Sequence, residues 1–298
     1  MIMHSYLRAI GFSEITNRIE LDELISMIIK EPTDKKTFQI HDNKTFAEIS
    51  RNFSKHLGIT IFGEYDHNMK FHIGHYFPIA TSQHISSREE ISIIKKVDND
   101  AHTVMSDDVR LGVSLIFYLQ NVIDYLSIEK HLNQKGRLFP IHLSALSNDG
   151  RILLPIHHDE KLKKSNNADI QYRRHLISEA KKGNQDAIDS LTIDDIDMYA
   201  MISRRSKKED IYTIVETSFT PYGSESDNYS IIGTIIDMNI EVNEYSKEEV
   251  YILIVSCNDV IFPVNINKKD LEGEPAVGRR FKGNVWTQGY VDFNEDKF

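Results

Sequence analysis

Apolar and polar positions divide the chain into a mixed first part, a helical middle and a last part made almost wholly of strands. Ser13 can cap a helix carrying Ile15, Ile19, Leu24, Ile25, Ile28 and Ile29 on one side. Glu31-Pro32 ends it, because a residue before proline is pushed out of helical geometry. A second helix is predicted from Thr45, where Glu48 completes a capping box. Phe46, Ile49, Phe53 and Leu57 form its buried stripe, and Gly58 is its stop. Ile59–Tyr65 and Lys70–Phe77 then flank the turn Asp66-His67-Asn68 as a hairpin. Ile91–Val97 alternates ahead of Asp98-Asn99-Asp100, and Val109–Leu119 is the clearest single strand. Leu138–Ala145 and Arg151–Ile156 read as a hairpin closed by Ser147-Asn148-Asp149-Gly150.

The polar run Glu160–Asn167 predicts an exposed loop, after which Asn167 caps a helix over Ala168–Lys182, ended by Gly183. Short helices follow at Gln185–Leu191 and Asp195–Ser203, the latter opened by Thr192-x-x-Asp195. The last part offers five strand candidates: Ile211–Phe219, Tyr229–Met238, Val250–Cys257, Val260–Ile266 and Phe281–Val291. Asn258-Asp259 is a tight hairpin, and a helical turn over Lys268–Glu272 precedes the final strand. Four strands, a short helix and a closing strand is the rhythm of a small five-stranded barrel of oligonucleotide/oligosaccharide-binding (OB) type. Gly233, Gly283 and Gly289 suit the bends that closure requires. The expected architecture is therefore α+β. An antiparallel-sheet and helix domain spans residues 1–160, a helical connector 161–210, and an OB-like β-barrel 211–298.

Charge qualifies that picture. Residues 211–298 hold 7 Lys and Arg against 15 Asp and Glu, whereas residues 161–210 hold 11 against 9. Nucleic-acid binders draw affinity from phosphate neutralisation, so the acidic barrel argues against the partner its shape suggests. A lone cysteine, Cys257, forms no internal disulfide and fits a reducing compartment. Met1–Arg8 lacks a signal-peptide pattern, and Arg110, Gln120, Asn121 and Asp124 interrupt the longest apolar stretch. A cytoplasmic protein without a membrane span is expected.

Several long motifs carry a family resemblance: His4-x-Tyr6-Leu7-Arg8-Ala9-Ile10-Gly11-Phe12, Arg110–Asn121, Ile196–Arg205 and Gly273–Gly283. Together they resemble a family of clostridial-type Gram-positive bacteria known only as a domain of unknown function. The resemblance covers nearly the whole chain and implies no activity, so no functional residue carries over.

Candidate chemistry is sparse. All 13 histidines precede the barrel, with His67, His72, His75 and His84 in one stretch and His157-His158-Asp159 in another. His72 and His75 point to opposite faces of a strand, which disfavours a shared metal. Cys257 ends an apolar strand in an acidic, histidine-free region and reads as a buried thiol. Asp107-Asp108 and Asp194-Asp195 fall where turns and caps favour aspartate. No phosphate-loop, dinucleotide or nucleophile-elbow motif occurs, and no cofactor is implied. The best candidate binding surface is the basic and aromatic segment with Arg279, Arg280, Lys282, Trp286 and Gln288. Trp286 equally suits the closed end of a barrel core.

Three functional classes follow. The first is a non-enzymatic binding protein whose acidic barrel engages a protein or small-molecule partner. The second is an enzyme with its site between the histidine-rich sheet and the connector. The third is nucleic-acid binding through Arg279, Arg280, Lys282 and Trp286, aided by Arg173, Arg174, Lys181, Lys182, Arg204, Arg205, Lys207 and Lys208.

Overall fold

A computed structural model describes residues 3–41, 44–96, 101–129, 137–156, 172–173, 175–180 and 182–293. A 3-10 turn, Ser5–Ile10, precedes helix α1 (Arg18–Lys30). The cap is Asn17, whose side chain accepts from the Ile19 and Glu20 amides, four residues beyond the expected Ser13. Ser13 instead donates to Glu248, fastening the first residues to the connection just ahead of a distant strand. Leu21, Leu24, Ile25 and Ile28 form the buried stripe of α1, which packs on the first sheet.

That sheet is an antiparallel meander of β1 (Asp34–His41), β2 (Lys44–Asn52), β3 (Leu57–Tyr65) and β4 (Phe71–Ala80). The helix expected at Thr45 is therefore strand β2. Its Glu48 lies opposite Lys36 of β1 and Phe62 of β3. Phe46, Ala47, Glu48 and Ile49 are all buried, so the segment is covered on both faces. A doubly covered strand loses the two-residue alternation, and a chance three-to-four spacing imitates a helix. The β3–β4 hairpin forms as expected, with Asp66 accepting from the Asn68 and Lys70 amides across its turn.

The second sheet contains β5 (Ser87–Glu89), β6 (Ser92–Lys95), β7 (His102–Ser106), β8 (Leu115–Leu119), β9 (Phe139–Leu153) and β10 (Ser218–Pro221). It continues with β11 (Asn228–Val242), β12 (Glu249–Cys257), β13 (Val260–Asn267), β14 (Leu271–Glu272) and β15 (Arg280–Val291). Within it β11, β12, β13, β9 and β15 pair in sequence, and β15 returns to β11, closing a ring. Four ring strands come from the expected region. The fifth is β9, from the first half of the chain. Ile211–Thr213 is a 3-10 turn, and β10 lies outside the ring against β11. At Gly233 an added Cβ would stand 2.3 Å from Val255, so this tight crossing of ring strands needs glycine.

Two further expectations are corrected. Ser147-Asn148-Asp149-Gly150 is no turn but part of continuous β9, where Asn148 is the extra residue of a bulge opposite Asn284 and Val285. Val109–Leu119 is a strand only from Leu115. Asp108 is fully buried and holds the Arg110 guanidinium and the Ser87 hydroxyl, turning the chain before the strand begins. The Asp98-Asn99-Asp100 turn, the 160–167 loop and the Asn167 cap lie outside the described residues. Helix α2 (Val122–Ile128) follows β8, and the two short helices expected after Gly183 are one 21-residue helix, α3 (Gln185–Arg205). Asp194 and Asp195 thus sit in mid-helix and cap nothing. Both sheets share one core cluster. Among the described residues no helix is long and apolar enough to cross a membrane.

Candidate functional site

The five residues singled out from the sequence occupy one strand and its approach, but most of their polar atoms are engaged inside the fold. Arg280 is buried, and its guanidinium donates to the carbonyls of Leu154, Tyr212 and Val215. Lys282 donates to the Tyr212 hydroxyl and lies 4.5 Å from that ring's centre. Arg279 donates to the Glu274 carbonyl at 2.6 Å. Trp286 is buried among Tyr6, Phe77 and Tyr118, stacked on the first two at centroid distances of 5.7 Å. Gln288 is wholly buried: it accepts from the Ala80 amide and the Gln120 side chain and donates to the Pro78 carbonyl. These contacts tie the end of β4 to the ring.

That tie matters because the chain leaving β4 forms one wall of a groove. The groove has a volume of about 150 Å³ and lies between the 55–56 and 81–84 loops and the outer face of β11, β12 and β13. Ile252, Ile254 and Pro263 give it an apolar floor, and Met238 also lines it. Strand pairing sets Asp237 beside Ile254 and Ile254 beside Pro263, so these side chains share a face. Lys55, His56, Gln83, His84, Asp237 and Asn239 supply the polar rim.

His56 is the most strongly positioned of these. Its ring Nδ1 hydrogen-bonds Glu241, a buried carboxylate of β11, and its amide donates to the same group at 3.0 Å. Ser54 donates to that carboxylate at 2.6 Å, and the His56 carbonyl accepts from the Thr81 amide at 2.9 Å. Burial opposes ionisation of Glu241, but the hydrogen bonds from Ser54 and His56 outweigh it and hold the carboxyl below its usual range. A carboxylate fixed on Nδ1 sets the ring's orientation and leaves Nε2 as the atom able to meet a ligand. Among the described residues no serine, threonine or cysteine donates to this ring.

Apart from His84 on the same rim, the other histidines spread out. His72 pairs with Asp66, His75 stacks on Phe62, and His142 faces Tyr290. His157 and His158 lie outside the described residues. No group of three or more His, Cys, Asp or Glu is placed to hold a metal among the described residues. Cys257 is buried in the ring, its thiol donates to the Ser218 carbonyl, and burial pushes it up to about 12.

A second polar cluster lies between the sheets. Burial pushes the Glu48 carboxyl up to about 7, although Lys36 and a hydrogen bond from the Ile123 amide pull the other way. Lys36 is engaged by Asp124 at 3.0 Å. Glu48 Oε2 and the Tyr118 hydroxyl are both buried without a hydrogen-bond partner among the described residues.

His56, Ser54 and Glu241 are absent from the sequence-based candidates. Glu241 stands 185 positions from His56, and no local spacing announces the pair. Searches of curated proteins and of solved structures each returned no match. A family model described as a domain of unknown function from E. rectale (DUF3881) matches residues 7–289, so the chain belongs to that family, as the motifs between His4 and Gly283 implied.

Proposed function

We propose that this is a binding protein whose ligand occupies the groove on the outer face of β11, β12 and β13. The ring is read here as an OB-like barrel. Its order, β11-β12-β13-β9-β15, has one parallel pair, β13 with β9, which is where an OB barrel joins its third and fifth strands. By that correspondence β9 is the fifth strand, placed ahead of the other four in the chain. OB barrels bind on the face of their second and third strands, which correspond to β12 and β13. The groove lies on that face.

The observation that carries the reading is His56, held at the wall of this groove by Glu241, whose carboxylate also accepts from Ser54. Its volume of about 150 Å³ is well under the roughly 300–1,000 Å³ of drug-sized sites, so it suits a small polar molecule with an apolar edge. The acidic excess of residues 211–298 and a short walled groove favour such a ligand over a nucleic-acid strand.

Protein isolated gently from its cells is heated, and the released small molecules are identified by mass spectrometry beside an Ile254→Arg variant that fills the floor. A polar metabolite enriched with the wild type, lost with the variant and shifting the His56 ring resonances on re-addition is expected. No difference between the two proteins, or a bound metabolite that leaves His56 unmoved, refutes the assignment.

A further inference from the structure

We propose that helix α3 is a self-association surface, pairing antiparallel with α3 of a second copy of this chain. The helix stands apart from the shared core. Of its 21 residues only Ala187 and Leu191 are buried, and they join Leu176 in a small cluster that includes no residue of the main core. Ile188, Ile193, Ile196 and Tyr199 are exposed by 39%, 60%, 61% and 73%. At about 100° per residue these four fall within an arc of about 140°, a largely apolar face that also carries Thr192 and Asp189. Among the described residues nothing packs on it.

The charge along the helix says what covers that face. Asp186, Asp189, Asp194, Asp195 and Asp197 occupy its first thirteen residues, and the basic Arg204 and Arg205 close it, with Lys207 and Lys208 just beyond. The helix dipole accounts for Asp186 in the first turn and the arginines in the last. It does not account for Asp194, Asp195 and Asp197, since its influence fades within a turn of either end. Arg173 engages Asp195 and Glu209 engages Arg205, whereas Asp186 and Arg204 have no ion-pair partner among the described residues.

A second α3 laid antiparallel supplies the complement to Asp186, Asp189 and Arg204, while Asp194, Asp195 and Asp197 lie outside the apolar arc. With Ile196 near the two-fold axis, the Asp186–Asp189 turn of each copy faces the Ser203–Arg204 turn of the other. The same contact is made twice, as two-fold symmetry requires. Parallel pairing would set every charge on its like, whereas the antiparallel form brings like charges level only at Asp195 and Asp197 near the axis, so the charge order selects the antiparallel form. A basic strand or nucleic acid could meet only half of this surface.

Sedimentation velocity on the full chain, from about 1 to about 100 μM, tests the pairing. Wild-type protein is expected to dimerise, and Ile196→Asp to remain monomeric with unchanged circular dichroism. Two charge variants separate pairing from misfolding: one carries Asp186→Lys with Asp189→Lys, the other Arg204→Glu with Arg205→Glu. Each alone should dimerise at least about tenfold more weakly, and their equimolar mixture should recover to within about threefold of wild type, because unlike charges then meet at both ends. A wild type monomeric throughout, a dimer indifferent to Ile196→Asp, or a mixture that fails to recover overturns the proposal.

Discussion

The Glu48→Gln substitution measures how the space between the two sheets treats charge. Glu48 is 9% exposed, and its carboxyl is pushed from 4.5 up to about 7 by burial. Between those values the folded protein holds a proton that the unfolded chain releases, so stability falls as pH climbs through this window. Below pH 4.5 the full contribution is present, and above about 7 it is gone. At about 1.4 kcal/mol per tenfold change in proton affinity, the loss amounts to ~3 kcal/mol. Glutamine cannot ionise. It keeps an oxygen for the Ile123 amide, and its NH2 stands where Glu48 Oε2 has no partner. Urea denaturation of both proteins from pH 4 to pH 8.5 isolates the effect, because titrating groups remote from Glu48 cancel in the difference. The variant should gain up to ~3 kcal/mol on the wild type as pH rises, with a midpoint between 4.5 and about 7. A difference that stays constant within about 0.5 kcal/mol, or one that grows toward acid, refutes the reasoning.

Gln288→Leu should cost roughly 3 kcal/mol in chemical denaturation, since it strands the buried Ala80 amide and the Pro78 carbonyl. A loss under about 0.5 kcal/mol would show that the tie between β4 and the ring is dispensable. Arg280→Met leaves the Leu154, Tyr212 and Val215 carbonyls without their donor and should cost roughly 2–4 kcal/mol by the same assay. Cys257 should react with a disulfide reagent at pH 8 at least about a hundredfold more slowly in the folded protein than in denaturant, and fast native labelling would contradict its burial.

What could be read in the sequence divides along a physical line. The β12–β13 hairpin was legible because the Asn258-Asp259 turn sits between two apolar runs, and both turn residues adopt the left-handed backbone that Asn and Asp tolerate. The β3–β4 hairpin was legible for the same local reason. Strand β2 was not, because its neighbours on both faces hide the alternation. The bulge at Asn148 was not, because Ser-Asn-Asp-Gly also suits a turn, and only the pairing of β9 with β15 decides between them. The fifth ring strand was sought at Ile211–Phe219, where composition offered one, while contacts spanning more than a hundred residues give that place to β9. Of the segment Arg279–Gln288, its aromatic and basic character was evident and its engagement inside the fold was not. The groove depends on His56 and Glu241 meeting across the two sheets, and no pattern along the chain encodes that meeting.

The position of β9 has a consequence during synthesis. Strands β1 to β4 each pair with a sequence neighbour and can assemble as they leave the ribosome. β9 emerges with its main partners, β13 and β15, still untranslated, the last of them ending at Val291. At roughly 5–20 residues per second that wait lasts on the order of ten seconds. Throughout it a 15-residue strand with Leu143, Ala145 and Leu146 along its length presents open edges to any other chain. Slow, long-range closure of this kind makes the nascent protein a natural client for chaperones, and stalled chains lacking β15 should aggregate.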